Sequence, residues 1–345
     1  MVKQSKAVFF ETAPWERRYL AKALRLVRAN VQFLTEPLSE ATLARGQGAE
    51  VLSIFIYSQL NRSLIRRLRG VKLIATRSTG FDHIDLKACK AHKIAVANVP
   101  AYGEHTVAEH TFALILALSR NVHKAYVRTV KGDFSLTGLQ GFDLKGKTIG
   151  VIGAGRIGLH VIKMAKGFGM EVLAYDVQKN PFLSEVLDFQ YVPLPALLRQ
   201  ADIVSLHLPY SPATHHLMTR DTFRLMKRGA LLINTARGGL VDTDALVWAL
   251  DAGIVGGAGL DVLEGEELVK EERQLLEKDF PKERLITALK NTILLHRENV
   301  VITPHIAFDS REALQRILDT TVTNITSFLR GTSVNLVSPV SRSGK

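Results

Sequence analysis

The chain has 345 residues, 46% hydrophobic and 23% charged, an ordinary balance for a globular protein and too long for one compact core, so two domains are expected. The formal charge of +12 comes from Lys and Arg scattered along the chain, with no basic tail, zinc-finger spacing or RNA-binding aromatic signature, and it reads as a surface that concentrates small anions, not as a nucleic-acid binder. A single cysteine, Cys89, excludes an intrachain disulfide and fits a reducing, cytoplasmic setting; the longest apolar stretch, 112–118, is far short of a membrane span, and the first residues carry only a four-residue apolar run, so no secretory signal is expected.

The first half alternates strands and helices. Residues 7–10 (AVFF) start a strand, and 16–28 places Leu20, Leu24 and Val27 at helical spacing. Strands follow at 31–34, 51–56 and 71–76, with a helix over 62–68. Such alternation builds a parallel sheet. The fourth strand runs into 77–85 (RSTGFDHID), where Gly80 gives a tight turn at a strand's carboxyl end, the edge at which open α/β sheets bind ligands. A short strand at 94–96 and a loop at 98–103 (NVPAYG) lead into 106–119, so continuously apolar that the helix it predicts is either core or a subunit interface. Residues 132–145 form a polar linker.

Residues 147–176 carry the clearest local signal. A β-branched apolar run at 147–152 is followed by Gly153, Gly155 and Gly158 as G-x-G-x-x-G, by helical spacing over 157–168, and by a second apolar run at 171–175 that ends in Asp176. Strand, glycine turn, helix, strand and acid in this order are the dinucleotide-binding fingerprint. Gly153 permits the turn, Gly155 lets backbone approach a pyrophosphate, and Gly158 lets the helix pack on the strand. The helix N-terminus supplies N–H groups and a positive dipole end. Asp176 can accept both adenosine ribose hydroxyls, which favours NAD over NADP, with Lys179 softening that preference.

Beyond Asp176 the spacing predicts a helix at 195–201, a strand at 202–209, a helix at 219–227 with Thr219 as N-cap, a strand at 230–237 and a helix at 242–252 capped by Gly253. A strand at 255–262 precedes a highly charged stretch, 264–298, that holds one or two surface helices. A strand at 300–303, an amphipathic helix at 310–329 and a loose tail from Thr332 complete the chain. The fingerprint starts in mid-chain, so the natural arrangement is a discontinuous first domain, 1–103 and 300–345, with the dinucleotide-binding domain, 104–299, inserted as one block. The helices starting near 106 and 310 would cross between domains, and a cleft between two such sheets suits a ligand.

Arg237, Asp261 and His305 each sit just past an apolar strand, and Glu266 follows Asp261 on a loop. A hydride-transfer site for a 2-keto acid needs a cation for the carboxylate, which Arg binds bidentately. It needs a proton donor to the carbonyl oxygen, a task His suits, and a carboxylate to orient that His. Arg237, His305 and Glu266 fill these places. Each also has a plainer reading, as a solvated turn, a satisfied histidine and one surface acid among several, and the residue pattern alone leaves both open. No metal site is expected.

Five segments, VIGAGRIG, DIVSLHLPYSPATHHLM, MKRGALLINTARGGLVDTDAL, GLDVLEGEE and VITPHIAF, resemble in order and spacing the D-isomer-specific 2-hydroxyacid dehydrogenases, along nearly the whole chain. The resemblance implies an α/β protein of two domains, a flavodoxin-like substrate domain and an inserted Rossmann NAD-binding domain, each a parallel sheet flanked by helices. It implies that Arg237 binds the substrate carboxylate and carbonyl, that His305 is the acid/base and that Glu266 is its partner. Arg156, Ile157, Asp176, Leu208, Pro209, Thr214, Thr235 and Ala236 would line NAD together with the fingerprint glycines, and Asp261 would sit near the nicotinamide end. Thr79 and Gly80 would present N–H groups to the substrate carboxylate.

Within the family the chain is similar to the D-lactate dehydrogenases that carry a VPAY loop, here 99–102, in which Tyr102 would lean over the substrate. The related loop usually continues with Ser or Asp and then Pro; here Gly103 and Glu104 follow, which bears on loop stiffness and selectivity. The implied reaction is reduction of pyruvate to D-lactate by a homodimer, Tyr102 and Phe308 favouring a methyl-bearing substrate. A glyoxylate or hydroxypyruvate reductase would use the same residues, and NAD-sensing corepressor scaffolds share the fold.

Overall fold

The structure, a computed structural model, describes residues 5–27, 29–266 and 282–338. The chain forms two compact units, Met1–Tyr102 with Ser310–Lys345, and Gly103–Asp309.

In the first unit, β1 (Lys6–Phe9), β2 (Asn30–Phe33), β3 (Val51–Ile54), β4 (Leu73–Thr76) and β5 (Ala95–Ala97) pair in parallel in the order β2-β1-β3-β4-β5. That is the flavodoxin-like order. β3 and β4 are buried along their whole length because helices cover both faces, which is why they read as unbroken apolar runs. On one face α2 (Leu43–Gly46), α3 (Arg62–Arg67) and α4 (Leu86–Ala91) bring Leu43, Leu64, Ile65 and Cys89 onto Leu52, Ile74 and Val96. The caps are local: Asn61 accepts from Leu64 N (2.9 Å) and Asp85 from Ala88 N (2.8 Å). The other face is covered by α1 (Pro14–Ala23), which ends earlier than its spacing suggests and passes into a tighter turn over Leu24–Val27.

The second unit is built on seven parallel strands, β6 (Thr148–Ile152), β7 (Glu171–Tyr175), β8 (Gln190–Tyr191), β9 (Ile203–Leu206), β10 (Ala230–Asn234), β11 (Val255–Leu260) and β12 (Val300–Ile302), in the order β12-β11-β10-β9-β6-β7-β8. The order reverses between β6 and β9, and ligands of such sheets bind at the carboxyl ends beside that reversal. Around it lie α5 (Glu104–Ser119), α6 (Val122–Val130), α7 (Arg156–Gly167), α8 (Pro181–Val186), α9 (Leu194–Gln200), α10 (Arg220–Arg224), α11 (Thr243–Asp251) and α12 (Lys282–Leu295). The apolar helix α5 is core: Phe112, Ile115 and Leu118 pack with Val161 and Ile162 of α7 and with Val151 and Ile233 of the sheet. The exposed apolar face belongs to α6, which buries no residue.

The chain returns to the first unit with α13 (Arg311–Leu329), whose Leu318 and Ile325 pack beside Leu20 on Phe9, Val51 and Leu73. Two expectations change here. The strand at Val300–Ile302, expected in the first domain, pairs with β11 in the second sheet (Ala258↔Val300), because residues 303–307 are tied to Asp261 at the end of β11; the first unit resumes only at Ser310. The tail from Thr332 is not loose throughout: β13 (Leu336–Ser338) adds an antiparallel edge to β5, with Leu336 and Val337 against the two core layers. The part of the charged stretch at 267–281 lies outside the described residues. No helix among the described residues is long and apolar enough to cross a membrane.

Candidate active site

At the end of β6 the chain turns on Gly153, whose φ of 98° lies in the left-handed region and whose added Cβ would stand 2.7 Å from the His207 carbonyl oxygen. A Cβ on Gly158 would meet the Gly153 carbonyl oxygen at 2.0 Å, so the first turn of α7 rests directly on the loop. Gly155 differs: nothing lies within 4 Å of its Cβ position, which opens on free space at the α7 N-terminus. That helix end has no acidic residue in its first turn and no side-chain cap, so its N–H groups face outward as an anion site. Asp176, just past β7, accepts from Ala154 N and Gln178 N (both 2.8 Å), which fixes its carboxylate against the glycine loop with lone pairs left for ribose hydroxyls. These residues fit a dinucleotide.

The remaining predicted contacts lie at the start of α7 and past the carboxyl ends of β9 and β10. Arg156 and Ile157 open α7, with Arg156 Nη1 3.6 Å from Glu104 Oε1. Leu208 and Pro209 follow β9, and Leu208 packs over Gly153. Thr214 holds the turn after them, donating to the Pro209 carbonyl and accepting from Ser211 N (both 2.8 Å). Thr235 is bonded to Thr111 on α5 (2.9 Å). Desolvation pushes the His207 imidazole down to about 3, so it stays neutral beside Ser205 Oγ (2.8 Å).

Strands β10, β11 and β12 are neighbours, and their carboxyl ends deliver Arg237, Glu266 and His305 to one edge of the sheet. Each loop has its own support. Asn234, 1% exposed at the end of β10, accepts from Ala236 N (3.0 Å) and donates to the Arg237 carbonyl (2.9 Å), which shapes the turn that carries Arg237. Gly238 presses that turn onto the segment leading to Glu266: its Cβ would lie 2.1 Å from Leu263 backbone. His216 bridges the same two turns, donating its N–H to the Gly239 carbonyl (2.9 Å) and placing Nε2 2.6 Å from Glu264 Oε1. Glu264 also accepts from Thr243 Oγ1 (2.8 Å).

Asp261, 1% exposed, organises the third loop. Its Oδ1 accepts from Thr303 Oγ1 (2.6 Å) and Ile306 N (2.9 Å), and its Oδ2 from Ala307 N (2.9 Å); its carbonyl accepts from His305 N (2.8 Å). Since the Thr303 hydroxyl donates to Asp261, His110 Nε2, 3.0 Å away, donates to Thr303. The loop holds His305 at φ 57°, a left-handed conformation that this network sustains. His305 Nδ1 then lies 2.7 Å from Glu266 Oε1, both side chains partly buried, and the Phe308 ring stands edge-on to the imidazole with centroids 6.3 Å apart. A carboxylate on Nδ1 orients the ring and leaves Nε2 as the atom that can exchange a proton.

Three predicted residues lie in the first unit. Thr79 follows β4, its hydroxyl donating to the Val99 carbonyl (2.7 Å) and its carbonyl accepting from Asn98 Nδ2 (2.8 Å). The Gly80 carbonyl accepts from Ser78 Oγ (2.6 Å), and the Tyr102 carbonyl from Arg316 Nε. Sequence reasoning passed over Asn234, Thr303, His110, His216 and Glu264. The first two had a signal, a polar side chain closing an apolar strand; His110 and His216 had none, because their partners are 193 and 48 residues away.

Residues 112–307 match the family model described as D-isomer specific 2-hydroxyacid dehydrogenase, NAD binding domain. A 2-hydroxyacid dehydrogenase homolog of Haemophilus influenzae is 39% identical over 322 residues, covering 93% of this chain and 95% of the relative. The D-lactate dehydrogenase of Escherichia coli is 36% identical over 329 residues, covering 94% and 97%. The crystal structure of the Aquifex aeolicus D-lactate dehydrogenase complexed with NAD and lactic acid superposes with a TM-score of 0.88 at 38% identity, covering 97% of this chain and 100% of that one. The glycine cradle, Asp176 beside it and these matches agree, and the chain belongs to the D-isomer-specific 2-hydroxyacid dehydrogenase family, oxidoreductases that act on CH–OH donors with NAD as cofactor.

Proposed function

We propose that the chain is a D-lactate dehydrogenase that reduces pyruvate to D-lactate with NADH, and that Arg237, His305 and Glu266 carry the reaction. The observation that supports this most is the His305–Glu266 pair at 2.7 Å, past the ends of β12 and β11, with β10, which presents Arg237, next in the sheet. The bound dihydronicotinamide supplies the hydride. Arg237 holds and orients the substrate carboxylate. His305, protonated and held by Glu266, gives its Nε2 proton to the carbonyl oxygen as alkoxide charge develops. Orientation of this kind is worth roughly 7–11 kcal/mol of barrier, and the proton donor about 10²–10⁴-fold in rate.

The relatives named D-lactate dehydrogenase, and the one complexed with lactic acid, support pyruvate as substrate. So does Phe308, an apolar surface beside His305 against which a methyl group can pack. Asp176 supports NADH over NADPH, since a 2′-phosphate would meet its carboxylate. The exposed apolar face of α6, with Val122 55%, Tyr126 70% and Val130 68% exposed, supports assembly with a second copy of the chain as a homodimer. A cytoplasmic enzyme accords with the single buried thiol.

The test is NADH oxidation with pyruvate, glyoxylate, hydroxypyruvate and phenylpyruvate in parallel, NADPH as the control and chiral analysis of the product. Fastest turnover of pyruvate to D-lactate with NADH is expected. Turnover of glyoxylate or hydroxypyruvate alone would move the chain to another substrate of the same chemistry. Bound NADH with no turnover would favour a sensing scaffold.

A further inference from the structure

The positive charge that looks scattered along the sequence is gathered by the fold. The first unit holds 22 Lys and Arg against 9 Asp and Glu, a net +13, whereas the second holds 23 against 24, a net −1. Within the first unit a run of this charge lies on α3 and α4, which cover the same face of the sheet. Arg62, Arg66 and Arg69 project from α3 and the turn after it, and Lys87, Lys90 and Lys93 from α4 and the turn after it; all six are exposed. None of the six forms an ion pair among the described residues, while their neighbours Arg67 and Lys72 are taken by Glu40 and Glu50.

Helix stability accounts for only part of this pattern: Arg66 and Lys90 stand in last turns, where the dipole favours a cation, but the other positions gain nothing from it. Neither α3 nor α4 has an acidic residue in its first turn; Arg62 opens α3 and Lys87 is second in α4, so both cations stand at the positive end of a helix dipole. Arg62 with Arg66, and Lys87 with Lys90, place like charges one turn apart, which disfavours each helix. The ridge is also poorly suited to two common anionic partners. Among the described residues of α3, α4 and the turns after them, no large apolar side chain and no Phe, Tyr or Trp is exposed, so the ridge has nothing to insert into a bilayer and only the His92 ring on which a base could stack. What remains is a rigid pair of cationic helices, matched to a rigid array of phosphates.

We propose that the α3–α4 face binds the phosphate backbone of double-helical nucleic acid, without reading sequence. Duplexes of DNA and RNA offer the same phosphodiester chemistry, and side-by-side titration separates them. The experiment is fluorescence anisotropy of labelled DNA and RNA duplexes of about 20 base pairs, titrated with the full chain over about 50–200 mM salt. Six phosphate contacts correspond to a slope of log affinity against log salt of about −5 on DNA. The variant Arg66→Glu/Lys87→Glu/Lys90→Glu is expected to lose at least about tenfold in affinity and to flatten the slope to about −3.

Arg18→Glu/Lys22→Glu/Arg25→Glu, which makes the same charge change on and just after α1 across the sheet, is the control. It is expected to change duplex affinity less than about threefold, and both triple variants to keep NADH affinity, which reports an intact second unit. Binding of either duplex with this pattern supports the proposal, and the tighter one names the source. Absence of duplex binding at the lowest salt would overturn it. So would equal losses in the two triple variants, or capture by phosphatidylserine vesicles in place of duplex.

Discussion

Two alanine substitutions in the glycine loop should have opposite consequences for the free protein. In Gly155→Ala the new Cβ meets nothing within 4 Å, and the backbone at φ −76° and ψ −165° is one that Ala adopts. Folding stability should hold or rise by up to about 1 kcal/mol, because Ala restricts the unfolded chain. The same methyl stands where a pyrophosphate must approach the α7 N-terminus, and overpacking of this kind costs about 1–3 kcal/mol, or roughly 5–150-fold in NADH affinity. In Gly158→Ala the Cβ would lie 2.0 Å from a backbone oxygen with no flexible neighbour to yield, so both stability and NADH affinity should fall. Urea unfolding of the free protein and a fluorescence titration with NADH measure the two quantities separately. Gly155→Ala with unaltered NADH affinity, or with a marked loss of stability, would refute the placement of the cofactor over this loop.

Asp261→Asn keeps the shape of the side chain but leaves at least one of Ile306 N, Ala307 N or Thr303 Oγ1 without its acceptor, a buried loss of about 1–3 kcal/mol. The melting temperature should fall by several degrees, at about 2–4 °C per kcal/mol, and kcat should fall more than NADH affinity; an unchanged melting curve would contradict the network. His216→Asn retains a residue that tolerates positive φ but cuts the bond to Glu264, and should cost about 1 kcal/mol of stability and lower kcat several-fold with NADH affinity preserved. Equal kcat would separate His216 from the turn that carries Glu266. Burial pushes the Cys89 thiol up to about 12. The unfolded chain releases this proton first, so the thiol's contribution to stability is intact below the unfolded pKa and is lost as pH rises toward 12. Native protein at pH 8.5 should resist iodoacetamide at Cys89 and become labelled in urea; prompt native labelling would count against the buried site.

The parallel strands were legible because burial on both faces writes them as continuous apolar runs, as in LIAT of β4 and ALLIN of β10. The glycine fingerprint was legible because it is local: Gly153 turns the chain and Gly158 lets α7 rest on the loop, as their spacing implied. Elements whose existence depends on a distant partner were not. β13 is three residues pairing with β5 across most of the chain, and β12 joins the second sheet because Asp261 binds residues 303–307, a link that no window of sequence contains. α6 was missed as an element although Val122, Tyr126 and Val130 recur at helical spacing; none of its residues is buried in the core of the unit. In the site, Arg237, Glu266 and His305 could be nominated from their places after strands, whereas the residues that support them act through bonds that only the folded chain creates.

In the proposed reaction His305, held by Glu266, serves as the proton donor in pyruvate reduction. The most direct test is His305→Ala, assayed for pyruvate-dependent NADH oxidation alongside a fluorescence titration with NADH. Loss of about 10²–10⁴-fold in kcat with NADH affinity within about twofold of the parent is expected. A variant that binds NADH and still turns over pyruvate near the parent rate would contradict the account.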